Sequence, residues 1–152
     1  MQRRRVLIGA GALALVAAGF AATEGQNLFY SALAEDVANQ LSVEDAHRRA
    51  EAGEIVLIDI RRPDEWAATG SPASGHRLDM RQEDFTASLL ELVQGARDAE
   101  IALICARGVR SSRLTNRLVE EGFTNIIDVP EGMLGSAAGP GWVRAGLPLD
   151  RS

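Results

Sequence analysis

The sequence predicts an α/β domain built on a mostly parallel central sheet with helices on both faces. Three observations carry this. Ile55-Val56-Leu57-Ile58 is an unbroken apolar run that closes at Asp59, and Ile101-Ala102-Leu103-Ile104 is a second that closes on Cys105. Continuous runs of this length, rich in β-branched residues, read as strands covered on both faces. The stretches between and after them carry helix signals, and strand–helix alternation implies parallel strands joined by crossover helices.

Taken in order, Ser42 is placed to cap a helix over VEDAHRRAEAG, and Gly53 to end it. The first apolar run follows. Pro63 then stands where a first helical turn begins, ahead of Asp64-Glu65-Trp66. Residues 70–75 (GSPASG) read as loop. Residues 82–95 read as a helix with Phe85, Leu89, Leu90 and Val93 on one face. After the second run, a short ARGVR loop leads into a helix opened by Ser111-Ser112, lined by Leu114 and Leu118 and ended by Gly122. Thr124 to Val129 reads as a third strand.

The N-terminus is a separate object. Three arginines precede an apolar run from Val6 to Ala22. A basic segment before a short apolar stretch is the pattern of an export signal. Arg3-Arg4-Arg5 followed by Val6-Leu7 resembles a twin-arginine signal. Gly19 and Ala21 suit cleavage after Ala21; the alternative is an uncleaved N-terminal anchor. Both readings put the remainder outside the bacterial cytoplasm, in the periplasm or tethered to the inner membrane and facing it. Gly9-Ala10-Gly11-Ala12-Leu13-Ala14 fits a dinucleotide-binding pattern, but no acidic residue closes a strand near position 40, and a leader explains it better. The expected organisation is residues 1–21 as leader or anchor, 22–40 as linker or short helix touching the domain through Leu28, Phe29 and Tyr30, and 41–149 as the domain.

Composition excludes several classes. Hydrophobic residues make up 46% and charged residues 24% of 152 residues, the balance of one globular domain and not of a disordered chain. The net charge is −5 and every basic residue is arginine. An acidic chain without a basic patch is a poor nucleic-acid binder. A single cysteine rules out an internal disulfide, and with only two histidines (His47 and His76) no metal site is expected.

The chemistry concentrates in Cys105-Ala106-Arg107-Gly108-Val109-Arg110-Ser111. In parallel sheets the ligand site lies at the carboxyl ends of the strands. A thiol there, ahead of a helix, faces loop amides that form an anion nest and the positive end of the helix dipole. Arg107 and Arg110 add full charges if they point inward. These influences favour thiolate over thiol. Gly108 permits a tight loop because it tolerates positive φ. The result is a nucleophilic sulfur inside a cradle for an anion.

CARGVRSS resembles the active-site loop of the single-domain rhodaneses, a sulfurtransferase family. Other segments agree in order: Leu57-Ile58-Asp59-Ile60-Arg61, Pro63-Asp64-Glu65-Trp66, Glu121-Gly122-Phe123 with Asn125 to Val129, Glu131-Gly132-Met133, Gly141-Trp142 and Ala145-Gly146-Leu147-Pro148. The resemblance spans about residues 41–149. It implies a rhodanese-like fold, and covalent catalysis in which Cys105 takes a sulfur atom from a small anionic donor such as thiosulfate and passes it to a thiol or other nucleophile. It implies no metal and no organic cofactor. The alternative is a rhodanese-like sulfur-carrier or binding module with little turnover. Related phosphatases and arsenate reductases use Cys-x5-Arg; the spacing from Cys105 to Arg110 is one residue shorter.

Supporting roles follow from the residues. Asp59 and Arg61 are expected to form a partly buried brace under the loop. Gly132 is expected to allow close backbone approach at the pocket rim, with Glu131 pointing away from the anion. Trp66 and Trp142 are expected to pack. His76 falls later than the family's histidine and is read as a loop residue without a catalytic role.

Overall fold

The computed structural model describes residues 23–152. The leader, its cleavage and the anchor alternative lie outside the described residues. Among the described residues no helix is long and apolar enough to cross a membrane.

Residues 23–33 form helix α1. Then follow α2 (Val43–Glu51), β1 (Val56–Asp59), α3 (Pro63–Thr69), β2 (Ser71–Pro72), β3 (His76–Arg77), α4 (Phe85–Leu92), β4 (Ile101–Ile104), α5 (Val109–Glu120), β5 (Ile126–Asp128) and β6 (Leu149–Asp150). The central sheet has the order β3-β1-β4-β5, and every pairing in it is parallel. Val56 lies opposite Ile101, and Ile101 opposite Ile126. Beyond β5, Gln40 bridges Asp128 and extends the edge. This is the α/β architecture the sequence implies.

Period-2 alternation along the strands divides the core in two. Ile58, Ile101, Leu103, Cys105 and Ile126 pack with Phe85 and Leu89 of α4 and Leu114 and Leu118 of α5. Leu57, Ala102, Ile104 and Ile127 face the other way, onto Val43 and Ala46 of α2, Met133 and Trp142. Both strand faces are covered, which is why the runs carry no polar residue before Asp59 and Cys105.

Local signals act where the sequence puts them. Ser42 accepts from the Asp45 N–H at 3.1 Å and caps α2. Pro63 occupies the first turn of α3. Some expectations need correction. GSPASG is not all loop: Ser71–Pro72 pairs antiparallel with Leu149–Asp150, a two-residue ladder too short for periodicity to reveal. His76 sits in β3 beside Ile58, exposed and off the loop. Helix α5 begins at Val109, ahead of Ser111-Ser112, because Gly108 takes φ 85° and turns the chain early. Of the three residues expected to anchor the 22–40 segment, Leu28 and Phe29 are exposed; Tyr30 makes the contact, helped by polar residues.

Candidate active site

The site sits at the carboxyl ends of β1 and β4. Strand β4 delivers Cys105, which is 1% exposed, to the turn before α5. The Gly108 N–H donates to Cys105 Sγ at 3.2 Å. The thiol donates to Ser111 Oγ at 3.5 Å, and the Ser111 hydroxyl donates to the Gly108 carbonyl at 3.1 Å. The sulfur is therefore held against the first turn of α5, where free amides and the helix dipole favour negative charge.

The loop is backed by a second tight segment. Met133 and Leu134 N–H groups donate to the Cys105 and Ala106 carbonyls at 2.8 and 2.9 Å. Gly132, at φ 66°, lies so close that a Cβ there would stand 2.6 Å from the Ala106 carbonyl. Gly108 presses on the Pro130 carbonyl in the same way. The close approach expected of Gly132 is thus against the Cys105–Ser111 loop itself. Glu131 points away from the sulfur: its carboxylate accepts the Val43 and Gly141 N–H groups, each at 3.1 Å.

Asp59 and Arg61 pair as expected, but the pair is fully buried at 0% and 1% exposure rather than partly buried, and it braces the end of α3 rather than the cysteine loop. Arg61 Nε and Nη2 donate to the two Asp59 oxygens at 2.9 and 2.7 Å. The same guanidinium donates to the Gly70 carbonyl and Thr69 Oγ1, tying the end of α3 to β1. Helix α3 in turn presents Glu65. That carboxylate accepts from Arg110 Nη1 and Nη2 at 2.7 and 2.6 Å, and from the Arg62 N–H at 3.1 Å. Burial pushes Glu65 up, but hydrogen bonds from Arg110 and Arg62 and their charges outweigh it and hold the carboxyl below its usual value. The same pair raises Arg110. A continuous chain therefore runs from Asp59 through Arg61, α3 and Glu65 to Arg110.

The two loop arginines diverge. Arg110 lines the mouth but is paired with Glu65. Arg107 turns to α1, where Nη1 donates to Asn27 Oδ1 at 2.9 Å and the Gly135 carbonyl at 3.1 Å. Its guanidinium lies 5.2 Å over the Tyr30 ring. Cys105 opens into a depression of about 340 Å³ walled by Tyr30, Leu33, Val109 and Leu134, with Glu65 and Arg110 at one side.

Sequence reasoning assigned no role to Glu65, Leu33 or Leu134, and none to Asp128. Glu65 had a signal in its helix-start position after Pro63; the others depend on contacts distant in the chain. Asp128 lies 1% exposed beneath α5, and its Oδ1 and the Thr115 hydroxyl are buried without a partner. Burial pushes the Asp128 carboxyl up to about 6, against the opposing pull of the Ser111 hydroxyl and the Val129 N–H. Trp142 is core, with Nε1 donating to the Pro148 carbonyl, and Trp66 is half-buried on α3. Among the described residues, no cluster of His, Cys, Asp and Glu could hold a metal ion.

A cysteine at the carboxyl end of a doubly covered parallel strand, on the turn before a helix, defines a class of α/β domains. Within that class the assignment is specific: residues 42–138 match the rhodanese-like domain model, and the chain belongs to that family. Among curated proteins it is 26% identical over 98 residues to an uncharacterised protein of Rickettsia rickettsii, covering 60% of this chain and 80% of that one. Among solved structures it resembles the polysulfide-sulfur transferase homodimer of Wolinella succinogenes, at 24% identity and TM-score 0.56, over 86% of this chain and 88% of that chain. It also resembles a rhodanese-related protein of Thermoplasma volcanium, at 25% identity and TM-score 0.52, over 75% and 99% of the two chains. These structural likenesses establish the fold.

Proposed function

We propose that the protein is a sulfurtransferase in which Cys105 carries sulfur as a persulfide. The observation that carries this is the sulfur's setting: it ends β4, receives the Gly108 N–H and faces an open depression. The Cys105 thiolate attacks the outer sulfur of a sulfane donor such as thiosulfate. A bond forms between Sγ and that sulfur, the donor's S–S bond breaks, and sulfite leaves with the electron pair. The terminal sulfur of the persulfide then takes the place of the substrate anion at the start of α5, where the helix N-terminus stabilises its charge. A nucleophile, cyanide in the assay, attacks the terminal sulfur and releases the thiolate. The two half-reactions are a ping-pong sequence.

Export is part of this proposal. Arg3-Arg4-Arg5 and the apolar run after it support delivery across the inner membrane, either through the twin-arginine route or as an uncleaved anchor. The acceptor is then a thiol or other nucleophile met outside the cytoplasm.

Thiocyanate formation from thiosulfate and cyanide tests the reading, in the full chain and in Cys105→Ala. Turnover in the first and none in the second is expected, with the parent protein gaining the mass of one sulfur atom when cyanide is omitted. A stable mass gain without turnover would assign a carrier module instead. Absence of both turnover and mass gain, with thiosulfate and with other sulfane donors, refutes the proposal.

A further inference from the structure

The depression over Cys105 offers more than a seat for a small dianion. Its walls are the Tyr30 ring and the side chains of Leu33, Val109 and Leu134. Its volume, about 340 Å³, lies at the lower end of the range of about 300–1,000 Å³ typical of small-molecule sites. Both cations that the loop supplies are engaged. Arg110 is matched by the Glu65 carboxylate, and Arg107 is turned to Asn27, the Gly135 carbonyl and the face of Tyr30. A doubly charged donor entering here meets apolar walls and an arginine already neutralised. A donor with a single charge at the transferable sulfur and an apolar arm would bury that arm against them.

Two of these walls belong to α1, which lies outside the matched segment 42–138. Helix α1 is fixed to the catalytic loop by the buried Asn27 and by the stacking of Tyr30 on Arg107. Its placement is set by the same arginine that follows the nucleophile by two residues.

We propose that α1 makes the mouth of the site selective for sulfane-sulfur compounds bearing an apolar arm, with Tyr30 and Leu33 as the specificity-determining residues. This rests on the sulfur-transfer reading of Cys105. The chemistry for such a donor balances without an oxidant or reductant. For an organic thiosulfonate, Sγ bonds to the terminal sulfur, the S–S bond breaks, and the sulfinate leaves with the electron pair.

The test compares benzenethiosulfonate with methanethiosulfonate as donors to the full chain, with cyanide as acceptor and thiosulfate as a third donor. The two thiosulfonates share the reacting group and differ in the arm. Their intrinsic reactivities cancel when the ratio of their kcat/KM values is compared between the parent and a variant. The paired substitution Tyr30→Ala and Leu33→Ala is expected to lower the benzene-to-methane ratio about tenfold, the size a small apolar contact carries in discrimination. Leu28→Ala, exposed on α1 and outside the walls, should leave it unchanged. Turnover with a ratio that the paired variant leaves intact, or that Leu28→Ala moves equally, overturns the inference and spares the sulfur-transfer reading. Absence of turnover with all three donors overturns both. Circular dichroism of the variants confirms the fold, which these partly exposed side chains do not hold together.

Discussion

Asp128 is a carboxyl buried under the helix that follows the Cys105 turn, and its ionisation works against folding. Its pKa rises from an ordinary 3.8 to about 6 because burial disfavours the charged form. The native state therefore binds the Asp128 proton more tightly than the unfolded chain does. Stability from this group is fully present below about pH 3.8 and is lost as pH rises through about 6. At 1.36 kcal/mol per pKa unit, the loss across that window is about 3 kcal/mol. Asp128→Asn keeps the shape and cannot ionise, and the Ser111 oxygen can accept from its amide. Urea unfolding of parent and variant between pH 4 and 8 should give a stability difference that grows with pH. The variant should be favoured by about 3 kcal/mol at pH 8, with little difference near pH 4. Other carboxylates titrate equally in both proteins and drop out of the difference. A difference that is flat across the range, or a variant less stable at pH 8 than at pH 4 relative to the parent, would refute the reasoning.

Three further outcomes follow from the same structure. Arg61→Ala strands the Asp59 carboxylate in the core and should cost about 3–5 kcal/mol by urea unfolding, while the double change Asp59→Leu and Arg61→Met recovers most of it. Gly132→Ala forces a Cβ into the Ala106 carbonyl at positive φ; strain of about 1–3 kcal/mol should appear as a lower Tm and a lower kcat for thiocyanate formation. Glu65→Gln releases Arg110 toward the mouth, and the KM for thiosulfate should fall about two- to fivefold, as expected for one half-exposed ion pair worth about 0.5–1 kcal/mol.

Much of the fold was legible because it depends on local pattern. The runs at Ile55 and Ile101 had to be doubly covered strands, since no polar residue interrupts them before Asp59 and Cys105. The cap at Ser42 and the fixed φ of Pro63 at the first turn of α3 act on backbone only a few residues away. The two-residue ladder between Ser71–Pro72 and Leu149–Asp150 was illegible, because it joins segments far apart and neither is long enough to show a period. The start of α5 was misplaced for a related reason. Gly108 enters the left-handed region under contact with Pro130, and that contact comes from another part of the chain.

The site divides along the same line. Cys105 and the pairing of Asp59 with Arg61 were determined by the sequence itself, because residue type, spacing and strand-end position suffice to specify them. The direction of each loop arginine was decided by tertiary structure alone. Arg110 meets Glu65 from α3, and Arg107 meets Asn27 and Tyr30 from α1; in both cases the nearest available partner sets where a long, flexible cation points. The apolar walls over the sulfur arise the same way, from side chains that only folding brings to one rim.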